Sequence, residues 1–402
     1  MTKGFFKSGH TPTLFSAFLY FEISFMVWVI LGSLGVYIAG DLGLGPAQKG
    51  LMVAIPVLSG ALLRIPAGIL SDRIGPRKTG QWGQIAVILV LSLAWFLGLD
   101  HVETVYLVGV LLGVAGASFA VALPLVSRWY PPERQGLALG LVGAGNSGTV
   151  LAALFAPRLA EAFGWQAVIG LAAVPSIITL IVYSLMAEDA PEFKAAGPRP
   201  QNLQALRETD AWWLCLFYMV AFGGFVGLAS SLLIYFNDQY GLSPVIAGNL
   251  TALCVFAGSM ARPLGGALAD RIGGVKTLQG LYAVIALSMF VIGLEPASPY
   301  MALLVFVVGM CGMGMGTGAV FQLVPLRFRN EIGTMTGIVG TAGGIGGFFL
   351  ASLLGYSKEW TGSYQLGFIT FANLAMACLI GILVVETKWK SLWKTAAAGA
   401  KV

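Results

Sequence analysis

Long apolar runs separated by short polar turns follow one another along the whole chain. An apolar helix of about twenty residues spans the roughly 30 Å hydrocarbon core of a bilayer. The runs predict twelve such helices, near residues 14–38, 50–70, 80–99, 104–126, 136–156, 166–186, 211–236, 246–269, 277–294, 300–323, 333–356 and 364–385. We therefore expect an all-α membrane protein.

Two stretches 198 residues apart carry the same pattern. The stretch LRIPAGILSDRIG begins at Leu63, and ARPLGGALADRIG begins at Ala261, so that Arg64 corresponds to Arg262. A repeat at this distance predicts two parallel copies of one unit with a binding site between them.

The longest polar interval lies between the sixth and seventh predicted helices and contains EDAPEFKAAGPRPQ, which is typical of a linker. We therefore predict two pseudo-symmetric six-helix bundles, residues 1–186 and 211–402, joined by a cytoplasmic linker at residues 187–210.

Composition and charge distribution agree with a membrane protein. The chain is 57% hydrophobic, only 10% charged, and has a mean hydropathy of +0.84. Eighteen of its 23 Lys and Arg residues lie at the termini or in turns after even-numbered spans, which predicts that both termini are cytoplasmic. The net charge of +5 thus reflects orientation rather than nucleic-acid binding. The first apolar run is too long for a cleavable signal. We expect a monomer in a bacterial-type inner membrane.

The residue types that carry most enzyme and metal chemistry are scarce in the predicted interior. The four cysteines lie in apolar runs without ligand-like spacing, and both histidines lie outside the spans. This distribution predicts no disulfide framework, no metal site and no cofactor. Since the interior also lacks a nucleophile and base pair, we do not expect an enzyme.

Three charged residues fall well inside the predicted spans: Arg64, Arg262 and Glu22. A charge at the bilayer centre costs about 2.5 to 3.5 kcal/mol on insertion scales, so each residue is a functional candidate. One carboxylate cannot neutralise two guanidinium groups. A monovalent planar oxyanion would supply the missing negative charge and would suit the two parallel donors of a guanidinium.

Glycine-rich motifs occupy the fifth and eleventh spans. They read GLVGAGNSG from Gly140 and GIVGTAGGIGG from Gly337. Glycines at such spacing let helix backbones approach closely and slide, so we expect a conformational role for Gly140, Gly143, Gly145, Gly148, Gly337, Gly340, Gly343 and Gly344. Asn146, an amide within this small-residue face, has room to reach a ligand.

The charged turns after the second and eighth spans match the loop signature of the major facilitator superfamily, because DRIG recurs at the corresponding place in both halves. The carboxylates of these turns are expected to meet a helix N-terminus or a basic turn and so to latch the cytoplasmic side. The predicted latch residues are Asp72, Arg73, Arg77, Arg128, Asp270 and Arg271.

The whole chain resembles the nitrate/nitrite porter family of that superfamily. The resemblance rests on SGALLRIP, ARPLGGALAD, the glycine motif with Asn146, YMVAFGGFVG from Tyr218 and FQLVP from Phe321. It implies that Arg64 and Arg262 hold nitrate or nitrite from opposite halves. It further implies hydrogen bonds from Asn146 and Tyr218 and stacking of Phe119 and Phe321 on the planar anion.

Glu22 is the candidate residue for coupling transport to protons. A negative-inside membrane opposes anion entry, and a buried carboxylate can take up a proton because burial disfavours its charged form. The family implied by the resemblance divides between proton-coupled importers and anion exchangers, and Glu22 favours proton-coupled nitrate import. Nitrate/nitrite exchange, exchange of small carboxylates such as oxalate or formate, and an anion receptor without transport are the alternatives.

Overall fold

A computed structural model of the chain describes residues 8–191, 207–328 and 332–394. Within these ranges the backbone is almost entirely helical, as expected where hydrocarbon leaves each peptide group to bond within its own helix. The helices are α1 (Thr11–Trp28), α2 (Ile30–Ser33), α3 (Gly35–Leu42), α4 (Pro46–Ile74), α5 (Pro76–Leu97), α6 (Val102–Gly116), α7 (Phe119–Ser127), α8 (Pro132–Gly143), α9 (Gly148–Phe163), α10 (Trp165–Leu171), α11 (Ala173–Met186), α12 (Thr209–Tyr240), α13 (Pro244–Ile272), α14 (Gly274–Gly293), α15 (Pro299–Arg327), α16 (Ile332–Thr361) and α17 (Gln365–Lys394).

The helices lie where the apolar runs predict them. Eleven helical segments within the described residues are long and apolar enough to cross a membrane. The first predicted span is not among them, because the backbone interrupts it at Val29 and Leu34 and divides it into α1, α2 and α3. Several helices also continue past the predicted spans. For example, the last predicted span ends at residue 385, whereas α17 continues into the polar sequence that follows and ends at Lys394.

Residue contacts divide the chain into two compact units. The first unit comprises residues 1–43 and 55–200, and the second comprises residues 44–54 and 201–402. The first turns of α4 therefore belong to the second unit, whereas Arg64 on the same helix belongs to the first. The bundle boundaries at residues 186 and 211 stay a prediction, and most of the proposed linker lies outside the described residues.

The two DRIG turns bend at equivalent glycines. Gly75 and Gly273 have φ values of +95° and +97°, a conformation that side chains disfavour. Each turn ends one long helix and lets the next begin immediately, α4 before α5 and α13 before α14. In the first unit the Arg77 backbone N–H also donates to Asp189 Oδ1 at 3.0 Å, which fixes the start of α5.

Helix α12 forms the centre of the second unit and is buried along almost its entire length. It approaches α16 closely, since a Cβ on Gly223 would lie 2.7 Å from the Gly343 carbonyl oxygen. Such close backbone contact needs small residues on both helices. The eleventh-span glycines therefore place one face of α12, including Tyr218, directly against α16.

The first turns of α4 are anchored within the second unit by a charged and a steric contact. Lys49 Nζ lies 3.1 Å from Asp238 Oδ1, and both side chains are at least four-fifths buried. The Tyr364 hydroxyl donates to the other oxygen of that carboxylate at 3.0 Å. Next to this pair, a Cβ on Gly50 would lie 2.8 Å from Gly355 Cα, so the two backbones touch.

Replacing Lys49 by Met leaves the Asp238 charge buried with Tyr364 as its remaining hydrogen-bond donor. Loss of one partner of a largely buried pair should cost about 1 to 3 kcal/mol, less than the full penalty of a wholly buried one. We expect a lower unfolding temperature for Lys49→Met in purified protein. Lys49→Met combined with Asp238→Asn should recover part of the loss, whereas strictly additive losses would contradict the pairing.

Candidate functional site

Arg64, the candidate anion ligand of the first unit, lies on α4 and is only 4% exposed. Its guanidinium carbon lies 5.3 Å from the centre of the Phe119 ring and 5.6 Å from that of Trp28. Its Nε donates to the Gly116 carbonyl oxygen at 3.4 Å. Three helices therefore hold the guanidinium: α1 through Trp28, α6 through Gly116 and α7 through Phe119.

Aromatic contact suits a guanidinium placed in an apolar interior. The electron-rich face of a ring attracts a cation within about 6 Å, and desolvation strengthens that attraction. Arg is also less strongly hydrated than Lys and keeps its charge at every physiological pH. The first unit thus holds a permanent buried cation, the electrostatic requirement for attracting an anion into a membrane interior.

The fifth predicted span is interrupted where its motif reads AGNS. Residues Ala144–Ser147 form a 3₁₀ turn between α8 and α9. Asn146 in this turn is 3% exposed, and its Oδ1 has no hydrogen-bond partner among the described residues. Ser147 Oγ lies 2.9 Å from Glu22 Oε2 and 2.7 Å from the Ala144 carbonyl oxygen. The candidate proton-coupling and anion-binding residues of this unit therefore meet at one turn.

Two glycines of the motif bring this turn against α1. A Cβ on Gly145 would lie 2.9 Å from the Phe21 ring, and one on Gly148 would overlap the Glu22 carbonyl. Phe21 in turn lies 5.9 Å, between ring centres, from Phe119. A continuous set of contacts thus links Gly145 through Phe21 and Phe119 to Arg64.

The other glycines of the two motifs differ in which atoms surround them. Gly343 meets the Tyr218 ring, where a Cβ would lie 2.6 Å away. A Cβ on Gly140, Gly143 or Gly337 would meet no described atom within 4 Å. The conformational role predicted for these glycines, and for Gly340 and Gly344, stays a prediction.

Arg262, the counterpart in the second unit, lies on α13 and is partly buried. Its Nη1 is buried and has no hydrogen-bond partner among the residues that the structure describes. Its carbonyl oxygen lies against α15, where a Cβ on Gly318 would come within 2.5 Å of it. An unsatisfied buried guanidinium N–H is costly unless a ligand or water accepts from it.

The aromatic candidates of the second unit form one cluster. Tyr218 on α12 is fully buried, and its ring stacks on Phe222 with 5.1 Å between ring centres and an interplanar angle of 8°. Phe321 on α15 meets Tyr218 edge to face, with 4.8 Å between ring centres. Since Gly318 and Phe321 lie one turn apart on α15, that helix carries both the Arg262 contact and the Phe321 ring.

Two of the predicted latch residues form an ion pair in the first unit. Arg128 Nη2 lies 2.8 Å from Asp72 Oδ1 in an exposed ion pair, and Arg77 Nη2 donates to the Ser184 carbonyl oxygen at 2.8 Å. Arg73, Asp270 and Arg271 are exposed. The latch function of all six residues stays a prediction.

Sequence reasoning missed Trp28 and Ser147. Trp28 resembles any aromatic residue in an apolar run, and the distance in sequence to Arg64 conceals their contact. Its one signal is that Pro56, Gly60 and Arg64 follow at four-residue intervals, which gives α4 a narrow face suited to a large partner. For Ser147 the signal is its place next to Asn146.

Comparison with known proteins identifies the family. The family model of the Major Facilitator Superfamily matches residues 16–351. A nitrite extrusion protein of Bacillus subtilis is 32% identical over 371 residues, with 92% of this chain and 93% of that protein covered. A probable nitrate/nitrite antiporter, NarK1 of Thermus thermophilus, is 33% identical, with 89% and 87% covered.

The fold also resembles a solved transporter structure. A bacterial homolog of the human lysosomal transporter Spinster, in an inward-facing and occupied conformation, superposes with a TM-score of 0.68 and 17% identity over 98% of each chain. The superfamily consists of membrane transporters rather than enzymes. On these matches the chain belongs to the nitrate/nitrite porter family of the major facilitator superfamily.

Proposed function

We propose that this protein is a secondary active transporter that imports nitrate, and also accepts nitrite, by proton symport. Arg64 and Arg262 together bind the anion, each from its own unit. The observation that carries the proposal is the Arg64 side chain, almost completely buried with its guanidinium beside two aromatic rings, and an arginine recurs 198 residues later as Arg262. The names of two relatives, for nitrite extrusion and nitrate/nitrite antiport, support this substrate class.

Hydrogen bonding supports a planar oxyanion as the ligand. A guanidinium offers parallel donors that fit two oxygens of one planar anion. Asn146 adds a polar group in the first unit, and Tyr218 adds one in the second. Phe119 and Phe321 each add an aromatic ring face, one in each unit. Such faces tolerate an anion only after cations have neutralised its charge, and two arginines against one monoanion meet that condition.

The membrane potential sets the requirement for a driving ion. Moving one negative charge into a negative-inside cell costs about 2.3 kcal/mol per 100 mV. A proton carried with the anion removes that electrical cost. Glu22 is the acid that we assign to proton uptake, because it is the one carboxylate well inside a predicted span and it contacts the turn that carries Asn146.

Alternating access follows from this charge arrangement. Without an anion, Arg64 and Arg262 repel each other, so an empty carrier resists closing around its site. A bound anion relieves that repulsion and permits the conformational change. In our proposal both termini and the latch turns face the cytoplasm, and the motif glycines allow the helices to slide.

Substituting either arginine by Lys keeps the charge but removes the paired donors. Because a hydrogen bond to a charged group contributes about 1.5 to 3 kcal/mol, Arg64→Lys and Arg262→Lys should each raise the KM for nitrate about ten- to hundredfold. The measurement is nitrate uptake into proteoliposomes. Arg158→Lys, at an exposed arginine near the end of α9, is the matched control and should transport normally.

Wild-type KM values for nitrate in both Arg64→Lys and Arg262→Lys would contradict the proposed binding mode. Equal damage from Arg158→Lys would show that Lys is harmful at any position, which would also count against a specific role for the pair.

Glu22→Gln tests coupling, because it removes the titratable proton but retains a similar shape. We expect wild-type protein to accumulate nitrate when an inwardly directed proton gradient is imposed on proteoliposomes. The variant should lose gradient-driven uptake yet keep nitrate/nitrite counterflow, since the anion site survives. Glu161→Gln, an exposed carboxylate on α9, is the control. Uptake that ignores both the gradient and the Glu22 substitution would favour exchange.

Exchange is the second candidate function, because one relative is named an antiporter and another an extrusion protein. It uses the same arginines, and outward movement of one anion replaces the proton as driving force.

Competition separates this substrate class from small carboxylates. If the site fits planar nitrogen oxyanions, unlabelled nitrate and nitrite should displace labelled nitrate at comparable concentrations, whereas formate and oxalate should not. Displacement by formate or oxalate at equal concentration would assign the protein to carboxylate exchange. The assay is initial-rate uptake of labelled nitrate in the presence of each competitor.

A further inference from the structure

Trp28 occupies a slot that two glycines create. Its indole, at the end of α1, is fully buried. A Cβ on Gly60 of α4 would lie 2.6 Å from the indole nitrogen, and a Cβ on Gly116 of α6 would overlap the ring. Any side chain at either position would therefore displace the indole. The absence of side chains at these two glycines leaves the space that the Trp28 indole fills.

The orientation of the indole is fixed by a directional bond. Its Nε1 donates to the Pro56 carbonyl oxygen at 2.7 Å in a buried hydrogen bond. Phe25 packs edge to face against it, with 4.9 Å between ring centres and an interplanar angle of 78°. A buried indole whose N–H is satisfied and whose edge is packed has little freedom to rotate.

The Trp28 ring face lies against Arg64. Pro56, Gly60 and Arg64 follow at four-residue intervals on one face of α4. The indole therefore bonds to the first, fits over the second and lies 5.6 Å from the guanidinium of the third. Phe119, at 5.3 Å, and the Gly116 carbonyl oxygen, which accepts from Arg64 Nε, complete the contacts around the guanidinium.

The repeated half carries no tryptophan at the equivalent position. Gly258 and Gly314 lie 198 residues after Gly60 and Gly116, and Val226 lies 198 residues after Trp28. A Cβ on Gly314 would overlap the Gly258 carbonyl oxygen, whereas a Cβ on Gly116 would overlap the Trp28 indole. The ring that lies against Gly258 belongs to Phe225, 2.8 Å from a Cβ at that glycine, and a phenyl ring has no N–H to donate.

We propose that Trp28 is the positioning residue for Arg64: its indole fixes the plane of the guanidinium and thereby the direction of the donors that the anion meets. This inference rests on the proposed function, because it takes Arg64 as the anion ligand. Trp28 itself acts through Arg64 rather than as a ligand. Its role is specific to the first unit, so the two arginines of the pair are held differently.

The test compares Trp28→Leu and Trp28→Phe with Trp165→Leu. Trp165 on α10 is a buried tryptophan of the same unit whose Nε1 donates to Asp41 Oδ2, so it controls for loss of a hydrogen-bonded indole. Nitrate affinity is measured by titration calorimetry on purified protein, KM and Vmax by counterflow, and stability by thermal unfolding. Loss of the cation–ring attraction should weaken nitrate binding about three- to thirtyfold in Trp28→Leu.

The expected signature is a rise in KM with a nearly unchanged Vmax, because orientation of a binding group affects the bound state. Trp28→Phe should show a smaller loss of affinity, since it keeps a ring face but not the N–H. If Trp28→Leu fails to fold, the affinity of Trp28→Phe is used to test the positioning role. Trp165→Leu should lower the unfolding temperature while leaving the Kd for nitrate unchanged.

Two results would overturn the positioning role. One is wild-type nitrate affinity in folded Trp28→Leu or Trp28→Phe, and the other is an equal affinity loss in Trp165→Leu. Arg64→Lys measured alongside separates this inference from the proposed function. Weak binding in Arg64→Lys with normal binding in the Trp28 variants would remove Trp28 alone, whereas normal binding in Arg64→Lys would remove Arg64 as the ligand.

Discussion

Keeping a guanidinium charged inside hydrocarbon is the constraint on which the first unit depends. The free energy of that placement must come from neighbours that tolerate a cation without neutralising it, since a neutralised arginine would not attract an anion. Rings and a backbone carbonyl meet this requirement, and a carboxylate would not. Trp28, Phe119 and the Gly116 carbonyl hold Arg64 in this way. Helices α1, α6 and α7 pack around this side chain of α4, and each of them supplies one of the three groups.

The two units solve this problem differently although their sequences repeat. Arg64 is almost fully buried beside two rings, whereas Arg262 is partly buried and lies where Gly318 of α15 passes close to its backbone. The equivalent glycines also differ in their neighbours, since Gly116 lies against the Trp28 indole and Gly314 against the Gly258 backbone. The repeat therefore keeps an arginine at the equivalent position although its surroundings differ.

Much of this architecture could be predicted from the sequence. Hydropathy located the helices, because in a membrane length and apolarity determine which segments are helical. The 198-residue repeat and the interior charge imbalance identified Arg64, Arg262 and Glu22. What the sequence could not supply was lateral contact. Trp28 and Ser147 look ordinary in isolation and gain their significance only from the helices that pack beside them. The break at Val29 was equally hidden, since apolar residues flank it on both sides, whereas Gly32, Ser33 and Gly35 surround the break at Leu34.

The Ser147 hydroxyl carries a single hydrogen, yet two oxygens lie within bonding distance, Glu22 Oε2 at 2.9 Å and the Ala144 carbonyl at 2.7 Å. A carboxylate is the stronger acceptor, so ionised Glu22 captures that hydrogen and leaves the carbonyl without it. Neutral Glu22 carries its own O–H and releases the serine to the carbonyl. The charge on Glu22 thereby decides whether the Ser147 hydroxyl bonds to a side chain of α1 or to the backbone of its own turn, one residue away from the amide of Asn146.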